Sequence, residues 1–129
     1  MYYVDTSAAA KLVLRERGSA ALRRWMGAHD AAICSSDVLR VELQRAVRLH
    51  APELAEQARS ILGSMLLTAL PTEVFERAAR IGPPRLRSLD ALHLAAAMEL
   101  GDDLDGILTY DDRLAAAAHA NGIATISPR

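Results

Sequence analysis

Four carboxylates stand out by where they fall: Asp5, Glu42, Asp90 and Asp111. Asp5 directly follows the short β-prone run Tyr2-Tyr3-Val4, and Asp111 lies two residues beyond the apolar run Gly106-Ile107-Leu108-Thr109. Each also sits where a helix needs an N-cap, a role worth about 1 kcal/mol. Glu42 is harder to explain as structure. With Val38 at zero and about 100° per residue it falls near 40°, inside the apolar arc that Leu49, Ala46, Leu39, Leu43 and Val47 span from about 20° to about 180°. A carboxylate on a buried face must be paired, protonated or bound to a cation, since an unpaired buried charge costs several kcal/mol. No Arg or Lys within a turn shares the centre of that face, which leaves a long-range partner or a metal ion. Asp90 lies in Ser88-Leu89-Asp90-Ala91-Leu92-His93, in a first helical turn where the macrodipole favours a carboxylate by about 0.3–1 kcal/mol. His93 follows one turn later and reads as a core imidazole, or one hydrogen-bonded to a ligand, more readily than as a ligand.

Four carboxylates gathered in one place repel, and cannot all stay ionised without a cation. An all-oxygen set, with no thiolate and no histidine pair, suits Mg²⁺ or Mn²⁺ rather than zinc. Such a site can acidify a water and clamp a phosphodiester for in-line attack, with one ion or two about 3.5–4 Å apart.

The elements that must position these acids alternate along the chain. Strands are predicted at Tyr2–Val4, Ala31–Cys34, Met65–Leu70, Gly106–Thr109 and Ile123–Ile126. Between them, helices are predicted behind Asp5-Thr6-Ser7, over Ala20–Gly27 and Val38–His50, from Pro52 to Gly63-Ser64, over Glu73–Ile81, over Leu89–Leu100 with Ser88 as cap, and from Asp111 to Asn121-Gly122. Short apolar strands alternating with longer helices point to a five-stranded parallel sheet covered on both faces. Ligands of such sheets sit beyond the carboxyl ends of the strands, at a switch in strand order. Asp5 and Asp111 are placed there, at the edges of neighbouring strands.

The chain has 129 residues, 51% hydrophobic and 24% charged, which fits a single globular domain over residues 1–129. No window reaches the roughly 18 apolar residues of a spanning helix. The opening residues lack a secretory pattern, and Cys34 stands alone, so a cytoplasmic protein without disulfides is expected. Only 4% aromatic content argues against a base-stacking platform. Of 15 basic residues all but Lys11 are Arg; setting the four acids aside leaves 12 acidic groups, a mildly basic body around an acidic hole. Nucleotide bias explains Arg for Lys more readily than phosphate recognition does. No Gly-rich loop ends in Lys-Ser/Thr, so a P-loop is excluded. The single Lys, on the first helix, does not suit an aspartyl phosphatase or receiver.

The stretches Val4-Asp5-Thr6-Ser7-Ala8, the helical Glu42, Asp90-Ala91-Leu92-His93-Leu94-Ala95 and Leu108-Thr109-Tyr110-Asp111 resemble, in order and spacing, the acidic motifs of PIN domains. Length and spacing are most similar to the VapC toxins of type II toxin–antitoxin pairs, over essentially the whole chain. The resemblance implies a three-layer α/β/α fold, Mg²⁺- or Mn²⁺-dependent endoribonuclease activity, inhibition by a small antitoxin, and homodimerisation. It makes Asp5 and Asp90 the principal metal ligands, with Glu42 and Asp111 completing the set. Thr6 would hydrogen-bond behind the ligands, and Asp112 would assist or replace Asp111. Trp25 and Met26, with the Val38–His50 helix, could edge an apolar groove for the antitoxin; Trp25 packed into its own core is the alternative. Arg85 and Arg87, or Arg15, Arg17, Arg23, Arg24 and Arg45, could meet RNA phosphates, although a solvated surface Arg is the commoner case. The rival reading is a PIN-like module that binds RNA or protein without cutting.

Overall fold

A computed structural model describes all 129 residues. Strand β1 (Tyr2–Val4) runs into Asp5, whose side chain accepts the Ala8 amide and so starts helix α1 (Thr6–Val13). Then follow α2 (Ser19–His29), β2 (Ile33–Ser36), α3 (Asp37–His50), α4 (Ala55–Gly63), β3 (Leu66–Thr68), α5 (Thr72–Arg80), α6 (Ser88–Met98), β4 (Gly106–Leu108), α7 (Asp112–Ala120) and β5 (Thr125–Ile126). All five strands are parallel, in the order β3-β2-β1-β4-β5.

The pleat sorts side chains to two cores. Tyr3 pairs with Cys34 and with Ile107, and these three share one apolar cluster with Val74, Leu94 and Leu114 from α5, α6 and α7. Val4 pairs with Leu108, and both face the other cluster with Ala8, Leu22, Leu39 and Leu62 from α1 to α4. The result is three layers, as strands buried on both faces require. No helix is long and apolar enough to cross a membrane.

Several element ends differ from the sequence expectation. Strand β2 ends at Ser36, not Cys34, because Ser35 donates to the Val4 carbonyl at 2.7 Å and Ser36 bonds the Tyr3 hydroxyl at 2.9 Å. With their hydroxyls satisfied, two serines sit fully buried in the sheet and neither caps α3. Ser88 is likewise the first residue of α6 and makes no capping bond. Pro52 opens a single 3₁₀ turn, Pro52–Leu54, ahead of α4. Strand β5 holds only Thr125–Ile126 of the apolar run expected to pair.

After β1 the chain adds β2 and β3 on one side and then crosses to add β4 and β5 on the other. The order therefore reverses between β1 and β4, which opens a crevice beyond their carboxyl ends. Asp5 closes one side of it and Thr109-Tyr110-Asp111 the other, with the Asp5 amide donating to the Leu108 carbonyl at 3.1 Å.

Candidate active site

Asp5 is 4% exposed and is held on both oxygens. Oδ1 accepts the Ser7 hydroxyl at 2.7 Å and the Ala8 amide at 3.0 Å. Oδ2 accepts Thr109 Oγ1 at 2.7 Å and Ser7 at 3.0 Å. All four bonds come from neutral groups, and no ion pair of the chain includes Asp5. Burial pushes its carboxyl above the usual range, against the pull of those donors and of His93. The cap expected at this position is present, but it accounts for one of the four bonds.

Glu42 has the long-range partner that its own helix lacks. His93 Nε2 on α6 approaches Glu42 Oε1 at 2.6 Å, and Thr6 Oγ1 donates to the same oxygen at 2.8 Å. The carboxylate can only accept, so Nε2 carries the proton and Nδ1 is free to accept from the Tyr3 hydroxyl at 2.8 Å. Tyr3 in turn meets Ser36 at 2.9 Å. Burial raises the Glu42 carboxyl, but the hydrogen bonds of His93 and Thr6 and the charge of Arg87 outweigh it and leave the group below its ordinary value. Thr6 thus stands behind Glu42; Asp5 is held by Ser7 and Thr109 instead.

Asp90 and Asp111 share a cation from their own chain. Arg87 Nε lies 3.2 Å from Asp90 Oδ2, and its terminal nitrogen lies 3.4 Å from Asp111 Oδ2. Asp111 Oδ1 caps α7 by accepting the Arg113 and Leu114 amides at 2.9 and 3.0 Å. Burial, followed by the negative charge of Asp111, raises the Asp90 carboxyl. Arg87 pulls the other way, but it is 64% exposed while the Asp90 side chain is only 14% exposed, so water blunts its effect. Asp112, the first residue of α7, is exposed; Asp111 is the residue turned to Arg87.

Two basic side chains tie the acids together: His93 bonds Glu42, and Arg87 pairs with both Asp90 and Asp111. The charge of Arg87 bears on Glu42 and Asp90 as well as on Asp111. No three His, Cys, Asp or Glu side chains are already drawn close enough to enclose a metal ion. The donor chemistry nonetheless fits a hard divalent cation: every acid presents oxygen, and two like-charged carboxylates have recruited a guanidinium between them. Ser7, Thr109, Tyr3 and the Arg87 bridge escape sequence reasoning, which follows acids and periodicity. A hydroxyl two residues after Asp5 and another two before Asp111 are the signals that were there to be read.

Trp25 does not edge this crevice. Its ring meets Tyr2 edge-on at 4.9 Å and stacks on His29 at 4.4 Å. Tyr2 begins β1, so the indole packs at the end of that strand away from Asp5, half-buried on the chain's own core.

Comparison with known proteins gives a consistent result. The PIN domain family profile matches residues 2–120. Ribonuclease VapC47 of Mycobacterium tuberculosis is 42% identical over 134 residues, spanning 99% of this chain and 97% of its own. Ribonuclease VapC46 of the same organism is 39% identical, spanning 98% and 96%. The crystal structure of M. tuberculosis VapC20, described as a Sarcin-Ricin loop cleaving toxin, superposes with a TM-score of 0.80 over 99% of this chain and 100% of that one, at 18% identity.

Proposed function

The chain belongs to the PIN-domain family, among the VapC proteins, and on that footing we propose that it is a Mg²⁺- or Mn²⁺-dependent endoribonuclease, the toxin of a toxin–antitoxin pair. The observation that carries this reading is Asp5: a buried carboxylate at the sheet's switch point, oriented by four hydrogen bonds yet paired with no cation. A carboxyl so buried stays neutral or takes up a cation, and a divalent ion at the crevice would hold it ionised.

Asp5, Asp90, Glu42 and Asp111 would hold the ion, which when bound acidifies a water and offsets charge on the phosphodiester under attack. The chain's own groups set the stage. Ser7, Thr109 and the Ala8 amide stop the Asp5 carboxylate from turning away. His93 and Thr6 keep Glu42 ionised and fixed on one oxygen. Arg87 occupies Asp90 and Asp111 and must yield, moving off to leave room or to meet a phosphate oxygen. We further propose a homodimer and a cytoplasmic antitoxin as its partners.

Incubating purified protein with RNA tests the reading. Cleavage should appear with Mn²⁺ or Mg²⁺, stop with EDTA, and be absent in Asp5→Asn. Adding the neighbouring operon product should suppress it, and sedimentation should give twice the chain mass. Metal-dependent RNA binding with no cut strand would assign the non-cleaving module instead.

A further inference from the structure

The structure places a run of positive charge beside the acidic crevice. Arg45 and Arg48 project from the C-terminal half of α3, one and two turns beyond Glu42, and with Arg59 of α4 they line a depression between the two helices. Arg45 and Arg48 also line a second depression, with Ala46 and His50. Ala46 and His50 form one wall of a third, whose other wall is Thr6, Ser7, Lys11 and Tyr110. Lys11 and Tyr110 continue into a fourth, which reaches Arg17 and Arg129. Shared side chains set the four side by side, in a trough-like series. Six cationic side chains line it and Glu16 is its one acid, in a chain whose net charge is -1.

Four of these six cations are in no ion pair that holds the fold. None of the chain's ion pairs uses Arg17, Arg45, Arg48 or Arg129. Arg59 is partly spoken for by Glu56, and Lys11 is fixed by Glu16, by the Arg17 carbonyl and by the Tyr110 ring 4.6 Å away, so it acts as a charged wall. The middle of the trough reaches two of the acids through one residue each: Thr6 donates to Glu42 and Ser7 to Asp5 from that wall.

We propose that this trough is the track for the sugar–phosphate backbone of a single RNA strand. Phosphates on one side of the cut lie on Arg45 and Arg48, those on the other side on Arg17 and Arg129, and the bond to be cut sits over Thr6 and Ser7. The assignment of the centre rests on the ribonuclease reading above. A polyanion crossing an acidic pocket is repelled at the crossing, and needs cations on both flanks to be held there; the two arms supply them. Guanidinium forks suit phosphate oxygens, and such pairing carries no sequence information. An acidic protein segment would also pair with Arg, but nothing would draw it across the carboxylates.

Binding of a short labelled RNA strand of mixed sequence, in EDTA so that nothing is cut, tests the track. Arg45→Glu with Arg48→Glu, and separately Arg17→Glu, should weaken binding by about tenfold or more and flatten the slope of log K against log salt by roughly 0.7 for each phosphate no longer neutralised. Arg80→Glu, on the opposite layer, should leave affinity unchanged, and melting curves should match throughout. Neutral Arg45→Gln with Arg48→Gln should show a smaller loss of the same sign. Reversed variants that bind RNA as tightly as wild type overturn the proposal. Loss of affinity for polyglutamate with RNA binding intact also overturns it, and gives the trough to an acidic protein. Wild type that binds along the trough but cuts no RNA with Mn²⁺ would sink the ribonuclease reading and leave the track standing.

Discussion

A carboxyl held down by a histidine and another held up by burial make opposite demands on pH. Glu42 lies below its ordinary value in the folded state, so its ionised form stabilises the fold at neutral pH, and that contribution is lost as pH falls through the folded value. Asp90 lies above its ordinary value, so its contribution is present below the unfolded value and lost as pH rises through the folded one. Without metal, Glu42→Gln should therefore melt below wild type at pH 7, by about 1–3 kcal/mol for a broken charged hydrogen bond, with the gap closing in acid. Asp90→Asn should melt level with wild type or slightly above, by less than about 1 kcal/mol, because the exposed Arg87 offsets part of the cost. Melting across a pH series checks both. If Asp90→Asn melts well below wild type, Asp90 is a structural cap and leaves the ligand set. Arg87 invites a separate measurement. Arg87→Gln removes the resident cation from Asp90 and Asp111, so Mn²⁺ titrated into the variant should bind roughly two- to fivefold more tightly by calorimetry. Equal or weaker affinity would mean that Arg87 does not compete for the acids.

Among the elements, β1 does more than its three residues suggest. Tyr3 faces the α5–α7 layer, yet its hydroxyl joins Ser36 of β2 to His93 of α6, and so sets the imidazole that holds Glu42 of α3. Tyr3→Phe keeps the ring and strips one partner from a buried nitrogen, in a fold where every buried side-chain polar atom is paired. It should cost about 1–3 kcal/mol in denaturant unfolding. The same region shows what sequence reading could reach. Helical periodicity gave Glu42 its place on a buried face, and strand-then-cap order gave Asp5 and Asp111 theirs, because both are local properties of the chain. The partners of these groups are not local. Glu42 to His93 spans 51 residues and Asp5 to Thr109 spans 104, and no periodicity encodes either. The end of β2 has the same origin: the apolar run stops at Cys34, and what carries the strand on through Ser35 and Ser36 is their bonding to Val4 and Tyr3, one strand away.

For the molecule as a whole, the two arms of positive charge and the acids between them keep net charge near zero while setting opposite signs side by side. A divalent ion at the acids should stabilise the entire fold by RT ln(1 + [L]/Kd), near 2.7 kcal/mol at about a hundredfold excess over Kd, and Asp5→Asn should forfeit most of that rise in melting temperature. The strand order has a further consequence, in time rather than in space. The central strand is made first, but its neighbour β4 follows about a hundred residues later, and Thr109 arrives after that. A ribosome-bound chain ending short of Leu108 holds Asp5 with nothing to close the crevice around it. Hydrogen exchange on stalled chains of increasing length should find the Asp5 amide, which bonds the Leu108 carbonyl, open until β4 has left the exit tunnel. A protein that cuts RNA would then lack a closed site until β4 and Thr109 have been made.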